Sequence, residues 1–160
     1  MSVPFLPYGR QSVNESDIEA VVQVLRSDYL TTGPEVPRFE GALAAACGVE
    51  HAVAVSNGTA ALHCAVLAAG LRPDDEVLVP AITFAASANC VRYIGAKPVF
   101  VDVDPDTGLV TADSLETAIT GKTRAMIPVH LNGRPVDLEP IGALAEAHDL
   151  IVIEDAAHAL

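Results

Sequence analysis

Asp155 and His158 stand three residues apart in Glu154-Asp155-Ala156-Ala157-His158, directly after the apolar run Ile151-Val152-Ile153. A carboxylate leaving a buried strand is costly to desolvate unless a cation or a donor meets it, so Asp155 is expected to face a ligand or a protein partner. If a helical turn begins at this point, the two side chains share one side. The pair also has the types of metal ligands. The other histidines, His51, His63, His130 and His148, complete no HxxH or HExxH pattern, and no metal is assigned.

A second group with chemical potential is Ser56-Asn57-Gly58-Thr59. Placed between an apolar run and an Ala-rich helix, it combines a residue that lets a ligand approach the backbone with hydroxyls and the free N–H groups of a helix start. That is a phosphate cradle. It has neither the Gly-Lys-Ser/Thr of a Walker A loop nor the spacing of a dinucleotide fingerprint, and an ordinary capped turn is the plainer alternative. Phe84, one of only 4 Phe, falls in the turn Pro80-Ala81-Ile82-Thr83-Phe84, where it can offer a flat face to a planar ligand or plug the core. His130 follows another apolar run in Pro128-Val129-His130-Leu131-Asn132-Gly133, where a site role competes with a hydrogen bond that steadies the turn.

The elements that must position these residues alternate. After an irregular opening from Ser2 to Gly9 with Pro4 and Pro7, helices are predicted from Glu15 to Ser27, capped by Asn14 or Ser12, and from Pro37 to Cys47, ended by Gly48. Strands are predicted over Ala52–Val55, Glu76–Val79, Pro98–Val103, Arg124–Val129 and Leu150–Ile153. Helices are predicted between them over Thr59–Ala69, Ala85–Ile94, Asp113–Ile119 and Leu138–His148. The strands are continuous apolar runs, as expected where helices cover both faces of a parallel sheet. The fold class is therefore α/β, a three-layer, mostly parallel sheet flanked by helices. Residues 1–48 are read as an N-terminal segment with its helices, and residues 49–160 as the beginning of a larger domain. In such a sheet ligands bind at the carboxyl ends of the strands. The chain stops just after one such end, so it is expected to hold part of a site and to be truncated.

Composition narrows the class. The 160 residues carry 9 basic and 21 acidic side chains, a net charge of −12, and 51% of them are hydrophobic. That balance argues against a non-specific nucleic-acid or anionic-membrane binder, both of which need clustered Lys and Arg. The chain is too apolar for disorder, yet no run approaches the roughly 18 apolar residues of a membrane span. Nor does the start resemble a signal peptide, so a cytoplasmic protein is expected. Cys47, Cys64 and Cys90 form no CxxC pair and are read as small buried apolar side chains.

Four stretches, in this order, resemble the DegT/StrS family of sugar aminotransferases, which use pyridoxal phosphate (PLP) on the aspartate-aminotransferase fold, fold type I. They are Leu30-Thr31-Thr32-Gly33-Pro34 with Phe39-Glu40; His51 to Leu62 through Ser56-Asn57-Gly58-Thr59; Val79-Pro80-Ala81-Ile82-Thr83-Phe84; and Ile127-Pro128-Val129-His130 with Glu154-Asp155-Ala156-Ala157-His158-Ala159. The resemblance implies that Gly58 and Thr59 hold the PLP phosphate, that Phe84 stacks on the pyridine ring, that Asp155 pairs with the protonated ring nitrogen and that His158 sits near the ring and its phenolic oxygen. It makes Arg10, Thr32 and His130 candidates for substrate contact. It also implies that the Schiff-base lysine lies beyond Leu160, since the lysines here, Lys97 and Lys122, are not in the family's lysine motif. No catalytic residue is then expected in this chain, which alone should be inactive. The full-length protein is expected to be a homodimer that moves an amino group from an amino acid, glutamate first, to a nucleotide-linked keto-sugar such as a UDP-4-keto-sugar. The alternative is a non-catalytic relative that binds a nucleotide sugar or PLP.

Overall fold

A computed structural model describes residues 9–159. The irregular opening expected over Ser2–Gly9 thus falls, up to Tyr8, outside the described residues, as does Leu160. The chain divides into two compact units between Ala54 and Val55.

Among its described residues the first unit contains two helices. Helix α1, Glu15–Arg26, starts as its sequence requires. Asn14 accepts from the Ser16 and Asp17 N–H groups, and the Asp17 carboxylate accepts from the Asn14 N–H, a reciprocal capping box. Helix α2, Glu35–Cys47, begins two residues before the predicted start, because Pro37 in a first turn lacks only an N–H that would go unused there. Gly48 ends it in the left-handed conformation, φ 67°. The run Ala52–Val55, predicted as a strand, is not one. Among the described residues it has no ladder partner: the Ala54 N–H donates to the Glu40 carboxylate at 2.8 Å, and Val53 is exposed. Four apolar residues fit the pattern of a strand, but a strand exists only where a neighbour accepts its hydrogen bonds.

The second unit opens with α3, Gly58–Ala68, and then alternates through β1 (Glu76–Pro80), α4 (Ala86–Tyr93), β2 (Lys97–Val101), α5 (Ala112–Glu116), β3 (Thr123–Met126), α6 (Leu138–Ala147) and β4 (Ile151–Val152). The four strands form one sheet in the order β2-β1-β3-β4, and every pairing is parallel. Strand β1 is buried at all five positions, which explains its unbroken apolar run. Its side chains divide by alternation. Val77 and Val79 face α3 and α4 together with Ala125 and Ile127 of the β3 segment, Leu62, Val66 and Cys90. Leu78 faces the other way, with Met126, Leu115 of α5 and Ile141 of α6. Helices therefore cover both faces in three layers. Each fully buried side chain of this size contributes roughly 1.5–3 kcal/mol relative to exposure.

Several strands are shorter than their apolar runs. β3 ends at Met126, although the run continues to Val129, because Pro128 has no N–H for the ladder; pairing resumes only as a single bridge between Val129 and Asp155. That interruption releases the chain into the turn that carries His130. α5 stops at Glu116, short of the predicted Ile119, where β-branched Thr117, Ile119 and Thr120 disfavour further helix. The cysteine expectation needs correction as well: only Cys90 is buried, while Cys47 and Cys64 are exposed on helices with room at the surface.

Candidate functional site

The connection leaving β1 runs to one side of the sheet, toward β2, while the chain leaving β3 runs to the other, toward β4. Between such oppositely wound strands the carboxyl ends leave a crevice that neither connection fills. A cavity of about 320 Å³ lies there, within the size range of small-ligand sites. Its walls come from the start of α3 (Gly58, Thr59, Leu62), the segment after β1 (Thr83, Phe84, Ala86), the segment after β3 (Val129, His130, Leu131) and the segment after β4 (Asp155, Ala157, His158). The fold thus brings together Gly58, Thr59, Phe84, His130, Asp155 and His158, which are far apart in sequence.

On one wall, Asn57 caps α3 by accepting the Ala60 N–H at 2.9 Å. The two preceding helical N–H groups, those of Gly58 and Thr59, need a partner from outside the helix, and the Thr59 hydroxyl stands beside them. Together with the positive end of the helix dipole they suit an anion. Among the described residues no Lys or Arg lines the cavity.

Opposite stands Asp155, 7% exposed. Its backbone is anchored from both sides, its N–H donating to the Pro128 carbonyl at 2.9 Å and its carbonyl accepting the His130 N–H at 3.1 Å. The carboxylate accepts the Ser87 hydroxyl at 2.7 Å and the Ala157 N–H at 3.3 Å. Two oxygens offer about four acceptor positions, so capacity remains for further donors. Phe84, 75% exposed, sits on the rim, and its carbonyl is held by the Ser87 N–H at the start of α4.

The histidines differ. Both ring nitrogens of the buried His130 are occupied: Nδ1 accepts the Val136 N–H at 3.0 Å, which leaves the ring proton of the neutral form on Nε2, 3.1 Å from Glu154. His158 is exposed, and its carbonyl lies 3.0 Å from where a Cβ on Gly133 would stand; Gly133 also has φ 81°, so glycine is required there twice over. Arg10 and Thr32 belong to the other unit, both exposed, with Thr32 in the left-handed region at φ 51°. Among the described residues no group of three His, Cys, Asp or Glu side chains could hold a metal, and no helix is long and apolar enough to cross a membrane.

Ser87 escaped the sequence reading. It is fully buried in α4 and links Asp155 to Thr83, whose hydroxyl lies 2.7 Å away. In an Ala-rich helix a buried serine reads as one more small residue. Only the pairing of α4 with a strand end 68 positions later gives it a partner. Cys90, next to it in the core, donates to the Ser87 carbonyl, and burial pushes its thiol up to about 11, so it is no nucleophile.

Residues 11–160 match the model of the DegT/DnrJ/EryC1/StrS aminotransferase family. The chain belongs to this family. Solved members superpose closely. DesV of S. venezuelae, in complex with a ketimine intermediate, is 42% identical, with a TM-score of 0.86 over 89% of this chain and 38% of that one. An aminotransferase from Psychrobacter cryohalolentis is also 42% identical, with a TM-score of 0.91 over 98% of this chain and 40% of that one. Spr1654 from Streptococcus pneumoniae, solved in PLP and PMP (pyridoxamine phosphate) forms, is 34% identical, with a TM-score of 0.90 over 97% of this chain and 43% of that one. The sheet and its helices are thus part of the fold type I architecture, and the chain spans less than half the length of these family members.

Proposed function

We propose that this chain forms one wall of the cofactor site of a PLP-dependent sugar aminotransferase. The observation that carries the reading is the pairing, across one cavity, of the Gly58–Thr59 anion cradle with the buried Asp155 carboxylate. These two features match the two ends of PLP, a phosphate and a basic ring nitrogen. When bound, the cofactor supplies an electron sink for the carbanion formed at the substrate carbon.

The chain's own residues then have distinct tasks. Gly58 and Thr59 fix the phosphate through backbone N–H groups and a hydroxyl. Asp155 accepts the ring N–H and favours the protonated nitrogen by charge. Phe84 covers one face of the ring and excludes water from it. His158 lies near the ring's phenolic oxygen. His130, with both nitrogens engaged, steadies the turn and holds Glu154 in place.

The lysine that anchors the cofactor is not among these residues. Lys97 pairs with Glu76 at 2.9 Å where β1 and β2 begin, and Lys122 precedes β3. Both are at the amino ends of the strands, roughly 15 Å of strand away from the cavity. We accordingly propose that these 160 residues alone do not transaminate.

For the enzyme carrying this chain, we propose a cytoplasmic homodimer that moves an amino group from an amino acid, glutamate first, to a nucleotide-linked keto-sugar of the UDP-4-keto class. Arg10 and Thr32 are the proposed substrate contacts. The test is incubation with PLP, glutamate and a UDP-4-keto-sugar, followed by assay for 2-oxoglutarate and the amino sugar. Asp155→Ala is expected to abolish turnover; unchanged turnover in that variant would sink the mechanism.

A further inference from the structure

We propose that Ser87 is a positioning residue that holds the Asp155 carboxylate oriented toward the cavity, a role that rests on the cofactor reading above. The hydrogen positions follow from what each group can donate. An ionised carboxylate only accepts, so the Ser87 hydroxyl is the donor in the 2.7 Å contact with Asp155. The Ser87 oxygen then accepts from the Thr83 hydroxyl, also at 2.7 Å. The Phe84 carbonyl, 3.1 Å from the same hydroxyl, competes for the Ser87 proton, but the shorter bond to a charged acceptor is the stronger. The outcome is a directed chain, Thr83 to Ser87 to Asp155, running from the cavity wall through the core and back to the cavity.

Its consequence is geometric. Ser87 is fully buried, so its donation reaches Asp155 without competition from water. Held by that bond, the carboxylate keeps its remaining lone pairs directed at the cavity, where a ring N–H would meet them. Few other groups can do this. The Cys90 thiol of α4 interacts with Asp155, and His130 and His158 share the cavity lining with it. The remaining neutral donor is the Ala157 N–H at 3.3 Å, a weaker contact than that of Ser87.

The test uses pyridoxamine phosphate, which carries the same ring nitrogen and phosphate as PLP but needs no lysine to hold it. Its dissociation constant is measured by fluorescence titration of the full-length enzyme that carries this chain. The ring-nitrogen NMR signal of 15N-labelled ligand reports protonation, and a urea midpoint checks the fold of each variant. Ser87→Ala is expected to weaken binding about tenfold and to shift the ring-nitrogen signal toward the unprotonated form. Ser87→Thr, which keeps the hydroxyl, should restore both. Should Ser87→Ala not fold, Ser87→Cys, similar in size but a weak donor, replaces it with an intermediate effect.

Wild-type affinity and an unshifted signal in Ser87→Ala would overturn the role of Ser87 alone. So would a loss of affinity with an unshifted ring-nitrogen signal and no rescue by threonine, which marks a packing effect. A wild-type full-length enzyme that fails to bind pyridoxamine phosphate would overturn the cofactor reading itself, and this inference with it.

Discussion

At the scale of single residues, the division of labour around the cavity follows from which groups still have bonding capacity. Gly58 and Thr59 have donors to give, Asp155 has lone pairs to offer, and His130 has neither to spare. Replacing Thr59 with Val keeps the shape and removes only the hydroxyl beside the cradle. It is expected to weaken pyridoxamine phosphate binding about tenfold, the usual worth of a hydrogen bond to a charged group, read by fluorescence titration. The types of Gly58, Thr59, Phe84 and Asp155 and their places beside apolar runs were enough to mark them as candidates. Ser87 was not legible in the same way, because burial turns a serine from an ordinary small residue into a donor only when its partner is known.

Among the elements, helix starts proved the most readable feature and strand ends the least. Asn14, Asn57 and Thr111 each cap the helix that follows, by the side-chain acceptance their types suggest. Asn57→Ala removes the acceptor for the Ala60 N–H; it is expected to lower unfolding free energy by about 1 kcal/mol, measured as a lower urea midpoint without ligand. Strand lengths depended on partners. Pro128 ends β3 early for want of an N–H, and Ala52–Val55 has no ladder partner among the described residues, the Ala54 N–H going to Glu40 instead. The first exception turns out to help the site, since the break at Pro128 frees His130 and Leu131 to line the cavity.

For the second unit as a whole, the two ends of the sheet serve different purposes. The carboxyl end holds the cavity, while the amino end is stapled by Glu76, which accepts from Thr120 at 2.6 Å and from Lys97 at 2.9 Å. The Thr120 hydrogen bond first, and then that from Lys97, hold the Glu76 carboxyl below its ordinary value of 4.5. A folded value below the unfolded one means that the unfolded chain takes up protons first as pH falls. The contribution is therefore complete above the unfolded value and is lost as pH falls through the folded one. Glu76→Gln should accordingly be less stable than wild type near neutral pH, and the gap in urea midpoint should close as pH drops from about 6 to about 3. A gap that stays constant with pH would show that the staple does not act through charge. By itself, the sequence determined the α/β alternation, the helix caps, the family and the residue types at the strand ends, since these depend on periodicity, local hydrogen bonding and motif order. Tertiary structure alone decided that β1 and β3 are neighbours with oppositely directed connections, that Lys97 and Lys122 lie at the end of the sheet away from the cavity, and that Ser87 meets Asp155. Each of those facts is a pairing between segments distant in sequence, and such pairings are settled by which buried surfaces and hydrogen-bonding groups fit one another.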